Sequence, residues 1–131
     1  MTSIFTKIIN GEIPCYKVAE NEFNIAFLDI SPICYGHVLV VPKNQVDYIF
    51  DIEDNSYQQL WVFAKKVAKK IEKVVECKRI GVAVIGLEVP HTHIHLVPLN
   101  SIDDINFSKP KLSFPDKDLK ELADKIMNAQ I

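Results

Sequence analysis

Excess positive charge is missing from this chain: 15 Lys+Arg stand against 17 Asp+Glu across 131 residues, a net charge of −2. Proteins that grip polyanions carry a basic footprint, so nucleic acid polymers and anionic membranes are not expected partners. Paired cysteines are missing as well. Cys15, Cys34 and Cys77 are odd in number, far apart and without a CxxC, which argues against a disulfide framework or a thiolate zinc site and favours a reducing compartment. No apolar run reaches membrane-spanning length. Met1 to Lys7 has no signal-peptide core, so a cytoplasmic protein is expected. Internal repeats, low-complexity tracts and linkers are also lacking. The length fits one domain over residues 1–131 that buries about two thirds of its unfolded surface without a metal or disulfide staple.

What is present is a balanced globular composition, 48% apolar and 24% charged. Ile4, Phe5, Ile8 and Ile9 share one side of a short helix, capped by Thr2 or Ser3 and closed by Asn10-Gly11. Tyr16 to Glu20 and Phe23 to Asp29 read as strands, the second broken at Asp29-Ile30-Ser31-Pro32. Gly36 to Pro42 is a β-branched run stopped by proline. From about Asp54 to Cys77, apolar residues recur at i, i+3, i+4 and i+7 and predict a long amphipathic helix. Its lysines (65, 66, 69, 70 and 73) read as a solvated back rather than a binding surface. Ile80 to Ile85 and Thr92 to Pro98 add two strands. Asn100 to Lys111 is irregular, and Pro115-Asp116 opens a last amphipathic helix. Strands joined mostly by short turns around one long helix predict an α+β fold with a five-stranded antiparallel sheet and short N-terminal and C-terminal helices.

Histidine is scarce, yet three of the four lie in His91-Thr92-His93-Ile94-His95. On a strand, residues i, i+2 and i+4 share a face, so the three imidazoles are expected on one surface with Thr92, Ile94 and Leu96 behind them. Such a row offers little apolar burial and repels itself when protonated, which favours a functional reading. His37 begins the other strand with a strong apolar signature. Zinc is one candidate ligand. However, the Cβ atoms of His91 and His95 would be roughly 13 Å apart on a strand, too far for all three rings to share one ion with bonds near ~2.0 Å. A His-x-His pair with His37 or a carboxylate stays open. Nucleophilic attack on phosphorus is the stronger candidate: a neutral imidazole forms a phosphoramidate that breaks once its nitrogen is protonated, and flanking imidazoles assist.

The stretch His91 to Val97 resembles the signature His-φ-His-φ-His-φ-φ of the histidine-triad (HIT) nucleotide hydrolases and nucleotide-binding proteins. Ile4 to Ile9 with Gly11 to Pro14, Ala26 to Pro32, and Gly36 to Lys43 resemble the family's earlier blocks, in the same order. His95 at the third triad position is similar to the hydrolase side rather than the nucleotidyltransferase branch. The resemblance implies roles. His93 matches the nucleophile at the α-phosphorus, with His91, His95 and His37 as supporting catalytic residues. Asp29 matches the carboxylate that takes both ribose hydroxyls, and Phe5, Ile8, Phe27, Leu28 and Ile30 match the walls of the base pocket. It also implies a purine nucleotide substrate, hydrolysis of nucleoside 5′-phosphoramidates or related NMP-X compounds such as dinucleoside polyphosphates, no required cofactor, and a homodimer. The alternatives are a nucleotide-binding protein with little turnover and a zinc-binding module.

Two regions depart from that pattern. The loop Val84 to Pro90 is short, and Leu87 stands where the family places a hydrogen-bonding Gln. Glu88 is placed beside the nucleotide, where it adds negative charge near a phosphate. The segment Asn100 to Ile131 has no counterpart in the compact members and reads either as a packing extension or as a lid near the leaving group.

Overall fold

β-branched runs pair into one sheet in the computed structural model, which describes residues 2–131. The strands are β1 (Lys17–Glu20), β2 (Asn24–Leu28), β3 (Val38–Pro42), β4 (Arg79–Ala83) and β5 (Ile94–Leu99). Their order is β1-β2-β3-β5-β4, and each neighbouring pair is antiparallel. Three helices complete the fold: α1 (Ile4–Ile9), α2 (Asp54–Val74) and α3 (Asp116–Met127). The architecture is the α+β arrangement that the sequence predicts. No helix among the described residues is long and apolar enough to cross a membrane.

Register decides which side chains meet. Phe27 lies opposite Leu39, and Leu39 lies opposite His95. Strand alternation therefore places these three on one face, together with Ile25, Val41 and His37. The other face carries Ala26, Leu28, Val38, Val40, Ile94 and Leu96 into a core with Leu60, Phe63, Val67 and Ile71 of α2 and Leu119, Leu122 and Ile126 of α3. Each fully buried Leu or Ile contributes about 1.5–3 kcal/mol, so the main core lies on the helix side of the sheet. The histidine face is left to α1 and loops. Phe5 of α1 packs there with Ile25, Phe27, Leu39 and Val41.

Two of the boundaries that differ from the sequence reading have a clear local reason. The long helix stops at Val74 rather than Cys77, because Val75 turns to extended backbone at φ −106° and ψ 120°. Its side chain is buried over Gly36, where a Cβ would stand 2.9 Å from Val75 Cγ2 and φ is +90°, a position that glycine alone fills without strain. β5 starts at Ile94 rather than Thr92, because the Thr92 N–H and hydroxyl both donate to the Val46 carbonyl at 2.7 Å. The chain is thereby drawn off the ladder. His91 and His93 consequently sit on the approach to the strand rather than within it. Short 3₁₀ turns at Ile49–Asp51 and Ile102–Ile105 interrupt segments that carry no periodic signal.

Candidate active site

His93 is oriented by main chain. Its Nδ1 lies 2.8 Å from the His91 carbonyl oxygen, which only accepts, so Nδ1 carries the hydrogen and the neutral ring keeps its lone pair on Nε2. Phe5 packs edge-on at 5.0 Å between ring centroids, and His95 stands 5.0 Å away on the other side.

The same bookkeeping assigns the other rings. The Ile33 N–H donates to His37 Nδ1 at 3.2 Å, which leaves the hydrogen of the neutral His37 ring on Nε2. That group donates to His95 Nδ1 at 2.9 Å, so His95 carries its own hydrogen on Nε2. Burial is the main cause that holds His37 down to about 4 and His95 down to about 3, with nearby positive charge adding to it. Both rings are therefore neutral at physiological pH.

His91 is committed elsewhere. Its Nε2 donates to the Pro42 carbonyl at 2.7 Å, and its Nδ1 accepts from Ser3 Oγ at 2.7 Å. The ring is fully buried, and burial lowers its pKa. With both nitrogens engaged, His91 is a strut that holds its own carbonyl beneath His93. Ser3 also caps α1 by accepting from the Thr6 N–H at 3.0 Å. One hydroxyl thus ties the first helix to the triad, a link 88 residues apart in sequence that no local pattern signals.

The rings open onto a cavity of about 300 Å³ lined by Asp29, His37, His93, His95 and Glu88, with Phe107 and Lys111 on the C-terminal side. Asp29 serves a turn and the site together: Oδ1 accepts from the Ser31 N–H at 2.9 Å, while Oδ2 stands 3.7 Å from His37 Nε2. Glu88 and Leu87 both border the cavity and are exposed. Phe5, Phe27 and Ile8 gather on the histidine face. Leu28 and Ile30 do not join them. Leu28 points into the helix-side core, and Ile30 is 69% exposed beside a separate groove between residues 13–17 and α3. Strand alternation sends Leu28 away from Phe27, and β2 ends before Ile30.

Residues 10–102 match the HIT domain family. The chain belongs to the HIT family. Among its relatives, adenosine 5′-monophosphoramidase hnt1 of Schizosaccharomyces pombe is 33% identical over 129 residues, covering 96% of each chain. A HIT-like protein of Bartonella henselae, whose structure is described as involved in cell-cycle regulation, superposes with a TM-score of 0.84 at 30% identity, covering 98% of this chain and 96% of that one. A zinc-bound histidine triad protein of Mycobacterium smegmatis has the same fold, with a TM-score of 0.81 at 23% identity over 97% of this chain and 91% of that one.

Asp29, His37 and His95 each offer a ligand atom, all within 4.8 Å of one another. The hydrogen positions oppose a resident ion. His37 has one lone pair, on Nδ1, and the Ile33 N–H occupies it. An ion at Nε2 would displace the hydrogen shared with His95 and set an Nδ1–H against an N–H donor. The cluster as folded fits a directed hydrogen-bond chain better than a metal.

Proposed function

We propose that this HIT protein hydrolyses nucleoside 5′-phosphoramidates and related NMP-X compounds through a covalent nucleotidyl-histidine. The observation that carries the reading is the His93 ring, its Nδ1 hydrogen held by main chain and its Nε2 lone pair free beside the cavity. Nε2 attacks the α-phosphorus, a P–N bond forms and the P–X bond breaks. The departing group accepts a hydrogen bond from the His95 Nε2–H and takes its proton from a water in the cavity. The hydroxide left behind attacks the phosphorus, the P–N bond breaks, and NMP leaves with the neutral imidazole restored. Asp29 Oδ2 is the acceptor offered to the ribose hydroxyls, and Phe5 with Phe27 supplies apolar surface for a purine. The resemblance to monophosphoramidases supports the choice of leaving group. The test is AMP release from adenosine 5′-phosphoramidate with chelator present. Release at an undiminished rate is expected, and loss of release on adding chelator would overturn the metal-free chemistry.

A second reading, nucleotide binding with little turnover, draws on one feature: Leu87, 89% exposed in the loop before the triad, offers no hydrogen bond to a phosphate. Tight AMP binding with no hydrolysis of several NMP-X compounds would favour it.

The assembly we propose is a homodimer paired along β4. That strand is a sheet edge, and Val82 on it is 49% exposed, a combination that invites strand pairing. Light scattering is expected to return twice the 14.9 kDa of one chain; a monomer mass at micromolar concentration would remove this part of the reading.

A further inference from the structure

The histidine cavity contains two carboxylates, Asp29 and Glu88, and one lysine, and that lysine comes from outside the matched family region of residues 10–102. Between the second 3₁₀ turn and α3 the chain runs as a strap along the rim of the site. The Leu112 N–H donates to the Pro32 carbonyl at 2.8 Å, and Phe114 stacks edge-on against Tyr35 at 5.4 Å. These contacts fasten the strap to the loop that also carries Ile33, the residue that orients His37. Phe107 packs on the catalytic pair, 4.7 Å from the His95 ring and 6.2 Å from His37. Lys111 Nζ is held over the Phe107 ring at 5.7 Å and donates to the Phe107 carbonyl at 3.1 Å. Among the described residues, no carboxylate stands within 4 Å of it.

We propose that Lys111 is a phosphate-binding residue of this site: it binds a non-bridging oxygen of the substrate's phosphate and supplies the charge complement that Leu87 cannot. The chemistry is specific to the need. A phosphate entering this cavity meets Asp29 and Glu88, both carboxylates, and the exposed Leu87 beside them has no side-chain donor to offer. An ammonium offers three donors and a full charge. Its bond to the Phe107 carbonyl uses one donor and leaves the others for a ligand. The field of Lys111 already reaches the site, since it adds to the forces that keep His37 and His95 neutral.

This proposal rests on the nucleotide reading above, and binding equilibria separate the two. With AMP and adenosine as probes, calorimetry on the full chain is expected to find AMP affinity about tenfold weaker in Lys111→Met. Adenosine affinity is expected to be unchanged, and Lys111→Arg to keep at least a third of the wild-type AMP affinity. Equal losses for AMP and adenosine would mean that Lys111 only shapes the strap and would overturn the proposal. So would unchanged AMP affinity in Lys111→Met. Failure of the wild-type protein to bind AMP at all would overturn the nucleotide reading, and this inference with it.

Discussion

His93→Ala is expected to abolish AMP release from adenosine 5′-phosphoramidate, with kcat reduced by about 10⁴-fold or more. The size of the effect follows from the geometry of the rings. His93 alone has an Nε2 lone pair directed by a main-chain bond on its other nitrogen; His91 has both nitrogens engaged, and His37 and His95 present hydrogens on Nε2. No neighbouring ring can take over as nucleophile without turning and breaking a buried hydrogen bond. The loss belongs in kcat, because the ribose contact proposed for Asp29 and the apolar surface proposed for the base at Phe5 and Phe27 are untouched. Rapid quench of the wild type followed by intact mass measurement is expected to trap protein heavier by one nucleotidyl group, and the variant to show none. Retention of more than a tenth of wild-type turnover would sink covalent catalysis at this residue.

The second large effect is on stability against acid. His37 and His95 sit near pKa 4 and 3 in the folded chain, below the ~6.5 of a free histidine. The unfolded chain therefore binds more protons than the folded one between those limits. Stability is complete above about pH 6.5 and falls as the pH drops toward 4, by about 1.4 kcal/mol per pH unit for each histidine. His91 is displaced in the same direction and adds to the slope. Urea denaturation at pH 7.5, 6 and 5 reads this directly. The carboxylates that are held low, among them Glu20, Asp104 and Asp116, lose their contribution only below about pH 4.5, so between about pH 6.5 and 4.5 the slope comes from the histidines. Stability that is flat or rising between pH 7.5 and 5 would show that the folded rings already accept protons.

Much of this was written in plain periodicities. The i, i+3, i+4 pattern of Leu60, Phe63, Val67 and Ile71 placed α2, and the alternation His91, His93, His95 pointed to one reactive surface. The clustering of His37 with His95 follows from two β-branched runs that pair across the sheet. Tertiary information was what periodicity could not carry. Thr92 belongs to a strand by propensity, but two hydrogen bonds to Val46 draw it away. Leu28 is a fair candidate for a pocket wall until register sends it to the opposite core. Phe107 and Lys111 lie in a polar, irregular stretch with no motif, and only folding brings them to the rings. The division of labour between His91 and His93 was equally hidden, because identical side chains receive their tasks from a carbonyl here and an amide there.

The run from the Ile33 amide through His37 to His95 has a single sense. Each member gives a hydrogen forward, and the first giver is a peptide N–H that cannot accept one back. His95 thus keeps its one hydrogen on the outer nitrogen, so the cavity meets a donor there and never a lone pair. The run behaves as a ratchet set by main chain: a peptide amide far away in sequence decides which side of hydrogen bonding this ring offers to a ligand.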